Sequence, residues 1–210
     1  ARWNPQLLVD AHGMGSSDTH LFSPPREPIN PNIPQGRKSW GEVFARDQAA
    51  AFDRHRLFYY TGEWQEEWYP GYTDGWASYR GAIGILYEQA RVAENGVRRA
   101  EGRILSYRES LHHHVIGSFA NLATLQQNAK ALRQYFHDTR KAALDPNGPY
   151  ADRTFAILPT GNRSRLRDLA NLFSLEGIEL HQAAQDFNVP LAIDQLGRET
   201  KDRKASAELF

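Results

Sequence analysis

The sequence predicts an α/β fold in which a mixed, mostly parallel sheet is flanked by helices and followed by the start of a second α/β domain. Two short apolar runs, residues 6–12 and 81–88, stop at a polar residue as buried strands do. A long amphipathic segment follows, with apolar residues three and four positions apart. A break rich in Pro and Gly at residues 145–149 then precedes a new alternation of strand and helix patterns.

Composition narrows the classes of function. The chain has 210 residues, 25 Lys and Arg against 25 Asp and Glu, and no cysteine. The absence of sulfur excludes disulfide scaffolds, thiolate metal sites and cysteine nucleophiles, so a metal would need His and carboxylate ligands. Balanced charge argues against a nucleic-acid partner. No apolar run approaches the roughly 20 residues that span a bilayer, so we expect no membrane span.

The first elements follow in chain order. After the strand at residues 6–12, five prolines between residues 22 and 34 predict an extended, rigid surface loop. The Ser39-x-x-Glu42 pattern predicts a capping box that starts a helix, with Phe44, Ala51 and Phe52 on its core face. The aromatic-rich residues 56–79 predict a structured loop, whose rings either pack on each other or form a platform for carbohydrate.

The second half of the chain begins with one long predicted helix whose core face carries apolar residues from Leu111 to Phe136. Residues 154–158 and 178–181 read as strands on either side of a helix over residues 165–175, with Gly177 at the helix C-terminus. The predicted domains are therefore residues 1–144 and 153–210, joined by a linker at 145–152. Residues 195–210 show no core face, and residues 160–164 read as a plain strand-to-helix connection.

The candidate site lies where the first two strands end. Parallel strands would bring His12 and Glu88 to one edge of the sheet, where ligands bind in open α/β folds. A histidine and a carboxylate are the parts of a hydrolytic metal site, with His12 as zinc ligand and Glu88 as base. Asp10 could accept the second N–H of His12 or cap a neighbouring loop. Alternatively, His12 is a hydrogen-bonded core histidine and Glu88 caps a helix.

Other histidines fit a site less well. Consecutive residues on a helix point about 100° apart, so His112, His113 and His114 cannot converge on one ion. We expect His114, which leans toward the apolar face, to be partly buried and hydrogen-bonded. His20 lies in a predicted loop, where we expect it to be exposed to solvent.

An ordered set of motifs adds a family resemblance over roughly residues 5–140. The motifs are Val9-Asp10-Ala11-His12-Gly13-Met14-Gly15, then Pro24-Pro25 with Asn30-Pro31-Asn32-Ile33-Pro34, then Tyr69-Pro70-Gly71-Tyr72 with Trp76, and finally Gly81-Ala82-Ile83-Gly84 running to Tyr87-Glu88-Gln89-Ala90. Together they resemble the second half of a zinc carboxypeptidase domain of the carboxypeptidase A superfamily, in the bacterial branch that carries a further C-terminal domain.

The resemblance implies a role for each matching residue. His12 corresponds to the third zinc ligand, and Glu88 to the catalytic glutamate. Tyr72, or alternatively Tyr69, corresponds to the substrate-side tyrosine, and Trp76 is assigned to substrate binding beside them. The chain departs from the family at Gly13 and Ala11, where relatives often have Glu and Leu.

The family's remaining zinc ligands, a His-x-x-Glu pair, and its Asn-Arg pair for the substrate carboxylate are absent from this sequence and are expected upstream of it. Because catalytic zinc needs three protein ligands, we expect this chain alone to be inactive. The second domain is similar to the amidotransferase-like domains of this branch.

The expected function is that of a zinc-dependent metallocarboxypeptidase, a hydrolase that cleaves a peptide or amide bond near a C-terminus. Its partner would be a peptide substrate, and family habit places it outside the cell or in the periplasm. The alternative is a non-catalytic module on the same fold that binds peptide or cell wall through its aromatic loop. The sequence does not indicate an oligomeric state.

Overall fold

A computed structural model describes residues 3–148, 151, 154–157, 161–194 and 196–205. It mixes helices with small sheets, which confirms the α/β class, but its largest sheet has three strands and falls short of the predicted larger sheet. The chain divides into two compact units, Trp3–Ala151 and the residues that follow, and each is described by itself. No described helix combines the length and the apolar character needed to cross a membrane.

The sheet of the first unit consists of β1 (Leu7–Met14), β2 (His20–Leu21) and β3 (Ile83–Ala90), in the order β1-β3-β2. β1 and β3 are parallel, as predicted, and pair without a break from Leu7 opposite Ile83 to Met14 opposite Ala90. β2 is antiparallel to β3. β1 and β3 each extend two residues beyond the predicted ends, so His12 and Glu88 lie inside the strands.

The two faces of this sheet differ in character. Side chains paired in register share a face, so the odd-numbered residues of β1 and β3 point one way and the even-numbered residues the other. The odd face holds the apolar core against α1 (Gly36–Arg54) and α3 (Tyr107–Gln127). Its members include Phe44, Phe52, Ile83, Ile85, Tyr87 and Ile116. The even face carries the candidate site.

α1 begins earlier than its sequence pattern indicates. Its first residue is Gly36 instead of Ser39, and no side chain caps its N-terminus, so the predicted capping box is wrong. The amide of Arg37 donates to the carbonyl of Pro34 at 2.9 Å, which starts the helix directly after the last proline of the loop. Phe44, Ala51 and Phe52 are buried, as predicted.

The proline-rich and aromatic segments run beside each other. The amides of Arg26 and Asn30 donate to the carbonyls of Gln65 and Glu67 at 2.9 and 3.0 Å. Residues 61–72 carry no helix or strand, as predicted, but Thr73–Tyr79 forms a helix, α2, where a loop was expected. α2 lies against the even face at Gly84, where the carbonyl of Asp74 occupies the space that a Cβ would need.

The long predicted helix is two helices, α3 and α4 (Ala129–Ala143), which meet at Asn128. Its predicted core face is wrong over the first part, because Leu111, Val115, Phe119 and Leu122 are 41–67% exposed, and right farther along, where Leu125 packs against the core and Leu132 is buried in it. α3 turns smaller and polar residues toward the core. These buried residues are Ser110, Ile116, Gly117, Asn121 and Thr124.

The physical reason for this orientation is close approach. A Cβ at Gly117 would meet Gln48 and Tyr87, so a larger residue there would hold α3 away from the sheet. Asn121 donates to the hydroxyl of Tyr87, and Thr124 donates to Asp47 at 2.9 Å. These hydrogen bonds and the close approach at Gly117 determine which face of α3 is buried. The spacing of apolar residues cannot predict that face.

A short hairpin, β4 (Val97–Arg98) and β5 (Ile104–Leu105), lies between β3 and α3. The second unit contains α5 (Arg163–Leu175), β6 (Phe187–Ile193) and β7 (Glu199–Ala205). α5 confirms the predicted helix.

The predicted βαβ unit is wrong. Residues 178–181 form no strand, residues 154–157 carry no regular structure, and residues 158–160 lie outside the described part. β6 and β7 form an antiparallel pair, and β7 falls where no element was expected. Gly177 has a φ of 72°, as expected after a helix, and Asn162 caps α5 by accepting from the amide of Arg165 at 3.0 Å.

Candidate active site

His12 and Glu88 are direct register partners on β1 and β3, so their side chains leave the same face of the sheet. Neighbouring strands lie about 4.8 Å apart, which places the two Cα atoms at that order of separation. The expectation that parallel strands bring these two residues together is therefore met. They meet two residues before the strand ends, on the even face.

Asp10 holds the His12 ring. It lies two residues earlier on the same face of β1, and its Oδ1 is 2.8 Å from Nε2 of His12. The contact agrees with the role of imidazole partner and not with that of a loop cap. The His12 side chain is 51% exposed, so it is not a core histidine. With Nε2 engaged by a carboxylate, Nδ1 is the ring nitrogen left for another ligand.

Glu88 is the buried member of this group. It is 8% exposed, and its Oε2 atom has no hydrogen-bond partner. Burial raises the pKa of the Glu88 carboxyl, the neighbouring His12 and Arg91 lower it, and Asp10 raises it. A carboxyl with a raised pKa and a free oxygen is better suited than an ordinary glutamate to accept and return a proton. The alternative role, capping a helix, has no supporting hydrogen bond among the described residues.

Three side chains that the sequence did not distinguish meet at one end of the site. Met14 lies on the same face of β1 as His12, and its Sδ is 3.3 Å from the hydroxyl of Tyr60. The Nε1 of Trp64 donates to that hydroxyl at 3.2 Å. Tyr60 pairs with Leu21 of β2, whereas Met14 lies on β1, so the contact joins segments from opposite edges of the sheet. The only sequence signal was the aromatic density of this segment.

α2 lies at the other end of the site, where it packs against Gly84. Asp74, in the first turn of this helix, is 4% exposed, and the side-chain Nε2 of Gln65 donates to its Oδ2 at 3.4 Å. Burial raises the pKa of the Asp74 carboxyl, and the charge of Asp10 raises it further. Along the strands, Asp10, His12 and Glu88 therefore lie between the contact of Met14 with Tyr60 on one side and α2 on the other.

The three aromatic residues assigned to substrate binding lie on the solvent side of α2. Tyr69, Tyr72 and Trp76 are 57%, 53% and 41% exposed. The rings of Tyr69 and Tyr72 contact each other at 5.3 Å between centroids, and Arg80 lies over the ring of Trp76. Within the described residues no hydrogen bond or ring contact joins any of the three to His12 or Glu88. Their role in binding substrate stays a prediction.

A group of histidines lies behind the site, on the odd face. His20 is fully buried, against the expectation of exposure, because it pairs with Gln89 of β3 and packs on Phe52. Its Nδ1 is 2.8 Å from Oε1 of Gln89, which also lies 3.1 Å from Nδ1 of His113. His114 is half-buried with Nε2 3.2 Å from the carbonyl of His12, as expected for that residue.

Among these residues, only His12 is placed to act as a zinc ligand. No group of three His, Asp or Glu side chains in the described ranges is arranged to hold a metal ion. His12 offers Nδ1, and Asp10 provides the outer carboxylate that commonly orients such a ligand. A catalytic zinc site needs three protein ligands, so the residues described here supply part of one.

Comparisons with protein-family models, with curated proteins and with solved structures give no match to this chain.

Proposed function

We propose that this face of the sheet, with Asp10, His12 and Glu88, is part of the active site of a zinc-dependent metallocarboxypeptidase, which hydrolyses a peptide or amide bond near a C-terminus. The observation that carries the proposal is the register of His12 with Glu88, together with the 2.8 Å contact between His12 and Asp10. A histidine oriented by a carboxylate beside a buried glutamate supplies one ligand and the base of a site for metal-assisted hydrolysis. The motif resemblance supports the same reaction class and export from the cytoplasm.

Each residue then has a defined task. Asp10 fixes the ring of His12 so that Nδ1 faces outward as one zinc ligand. Zinc, when bound, would polarise the scissile carbonyl and lower the pKa of water. Glu88 Oε2 takes a proton from the attacking water and returns it to the leaving amine, so the carboxylate is regenerated after each cycle. Its raised pKa makes this carboxylate a stronger base than an ordinary glutamate.

The test uses the longest natural polypeptide that contains this chain. Peptides are incubated with the wild type and with Glu88→Gln, and mass spectrometry follows loss of the C-terminal residue. Removal of a general base costs about 10²- to 10⁴-fold in rate, so loss of the peptide's C-terminal residue should become undetectable in Glu88→Gln. The circular dichroism spectrum of the variant should match that of the wild type, which shows that the fold is kept. Glu94→Gln, an exposed carboxylate after β3, is the matched control and should keep the wild-type rate. An unchanged rate in Glu88→Gln contradicts the proposal.

A second function is favoured by the exposed aromatics. Trp68, Tyr69 and Trp76 are 50%, 57% and 41% exposed near one another in sequence, as in surfaces that bind peptides or sugars. A binding module would retain its affinity for cell-wall peptides in Glu88→Gln and lose it in Trp68→Ala. Fluorescence titration with soluble peptidoglycan fragments measures this affinity. A hydrolase would instead lose its turnover in Glu88→Gln and keep it in Trp68→Ala.

A further inference from the structure

The outer side of α3 carries an open apolar groove of about 250 Å³. The side chains that line it are Leu111, His114, Val115, Ser118, Phe119 and Leu122. The four apolar ones are 41–67% exposed, so the described residues of the chain leave the groove uncovered. An exposed apolar patch of this kind is typical of a surface that another molecule covers.

This part of the helix also lacks charge. The run from Ser110 to Ala129 contains no Asp, Glu, Lys or Arg, although these four residue types make up 24% of the chain. Charged residues are depleted at the centres of protein interfaces, because a charge buried there without a partner loses its hydration. The groove therefore suits an occupant that is apolar and uncharged along its length.

The spacing of the six lining residues reads the same in both directions along the helix. From Leu111 to Leu122 the successive steps are 3, 1, 3, 1 and 3 residues. If two copies of α3 lie antiparallel about a twofold axis at the middle of the groove, each lining residue faces another member of the same set. Such a self-complementary surface is what a twofold interface requires.

The pairs that this symmetry creates are chemically compatible. Leu111 lies opposite Leu122 of the second copy, so two apolar side chains meet at each end of the groove. Phe119 lies opposite the ring of His114, and Val115 lies opposite the small side chain of Ser118. Each pair occurs twice, and none of them contains a charged residue of the Asp, Glu, Lys or Arg type.

The charges of the chain also favour a second copy as the occupant. With 25 basic and 25 acidic residues, two copies do not repel each other through net charge. Antiparallel packing places the N-terminus of each α3 beside the C-terminus of the other, where the helix dipoles attract. Arg108, an exposed residue in the first turn, then lies near the last carbonyls of the opposite helix, a favourable position for a cation.

We propose that α3 is the interface of a symmetric dimer, in which two copies of this chain pack antiparallel through this groove. The contact from Leu111 to Leu122 spans about three helical turns, so the buried area lies at the low end for protein interfaces and the dimer is weak and reversible. The inference goes beyond the proposed function and does not depend on it, because neither Glu88 nor a metal takes part in the interface.

Sedimentation velocity tests the dimer. The chain, and the longest natural polypeptide that contains it, are measured between about 1 μM and 1 mM, the range in which a small interface associates. We expect the monomer to convert to a dimer as the concentration rises. Phe119→Glu places a charge in the groove and should weaken the dimer by at least about tenfold. Phe58→Glu is the matched control, since Phe58 is 77% exposed outside α3, and should dimerise like the wild type.

Disulfide crosslinking tests the antiparallel register without background, because the chain contains no cysteine. Leu111→Cys and Leu122→Cys are oxidised separately and as an equal mixture. In the proposed dimer the two copies of residue 111 are eleven positions apart along the helix, about 16 Å, which no disulfide bridges. The mixture should therefore give a crosslinked dimer, whereas each variant alone should stay monomeric on a non-reducing gel.

Three results would overturn the proposal. A monomer at every concentration, in the chain or in the longer polypeptide, would mean that a different partner or another segment covers the groove. A dimer that keeps its affinity in Phe119→Glu would lie on another surface. Crosslinking of Leu111→Cys to itself would place the two helices in a different register.

Discussion

Nε2 of His12 and Oδ1 of Asp10 lie 2.8 Å apart on one face of β1, with Glu88 opposite His12 on β3. The pairing is local in sequence, because alternate residues of a strand share a face, whereas the position of Glu88 depends on the pairing of distant strands. Asp10 therefore acts on His12 whether or not substrate is present.

Asp10→Asn should weaken metal binding at His12. A neutral amide orients the ring less strongly and lowers its basicity as a ligand, and loss of such an outer partner typically costs about 10- to 100-fold in metal affinity. Titration of the longest natural polypeptide that contains this chain with Co²⁺, followed by the ring resonances of His12, measures the change. Asp138→Asn removes the carboxylate of an exposed pair with His137 and serves as the matched control. Equal affinities in wild type and Asp10→Asn would contradict the role given to Asp10.

Gly84→Ala should destabilise the first unit. A Cβ at Gly84 would collide with the carbonyl of Asp74 and the hydroxyl of Ser78, so α2 would have to move off the sheet. Overpacking of this kind costs about 1–3 kcal/mol. Urea unfolding measures the loss, and Gly15→Ala is the control because nothing lies within 4 Å of its Cβ position. Equal stabilities of the two variants would show that α2 does not depend on this contact.

The exposed apolar residues of α3 should matter little for stability. Leu122 is 56% exposed, so Leu122→Gln should change the free energy of unfolding by no more than about 0.5 kcal/mol. Ile116, on the buried side of the same helix, is 8% exposed, and Ile116→Ala should cost about 2–5 kcal/mol. Chemical unfolding of the two variants compares the faces directly. A larger cost for Leu122→Gln would mean that the face predicted from sequence is the buried one.

Stability should fall in acid because of His20. Burial lowers the pKa of His20 to about 3, the hydrogen bond to Gln89 raises it, and the charges of His114 and His113 lower it. In the unfolded chain this histidine takes up its proton near pH 6.5, whereas in the folded chain it does so only near pH 3. The free energy of unfolding is therefore highest above pH 6.5 and decreases as the pH falls toward 3. The slope from one such group approaches about 1.4 kcal/mol per pH unit.

Urea unfolding between pH 7 and pH 4 measures this slope. His20→Phe, which places an apolar ring beside Phe22 and Phe52, should make the slope shallower without abolishing it, because burial also lowers the pKa of His113, to about 4. The exposed His55→Asn is the control for loss of a histidine at the surface. A slope that is the same in His20→Phe and in wild type would assign the acid sensitivity to other groups.

The parallel pairing of β1 with β3 was predictable, because two apolar runs of matching length can be recognised in the sequence without knowledge of tertiary contacts. Which face of α3 is buried was not predictable. Its apolar spacing predicted one face, but Gly117 and Asn121 allow the opposite face to approach the sheet and bond to Tyr87. Burial of His20 likewise depends on Gln89, 69 positions away, so no local pattern reports it.

The candidate site divides in the same way. His12, Asp10 and Glu88 could be predicted because strand periodicity determines which side chains share a face. Met14, Tyr60 and Trp64 could not, since their meeting requires the segment around Tyr60 to pair with Leu21 on the far side of the sheet. A long-range bridge of this kind leaves no periodic signal in the sequence.

One buried ion pair connects these parts. Arg37, in the first turn of α1, donates to Glu67 at 2.5 Å and to the carbonyl of Gly84 at 2.6 Å, and both side chains are at most 2% exposed. Separating them would leave charges without solvent or partner, which is far more costly than breaking a surface pair. The start of α1, the aromatic segment and the middle of β3 should therefore open together as one cooperative unit, with a shared free energy of amide hydrogen exchange.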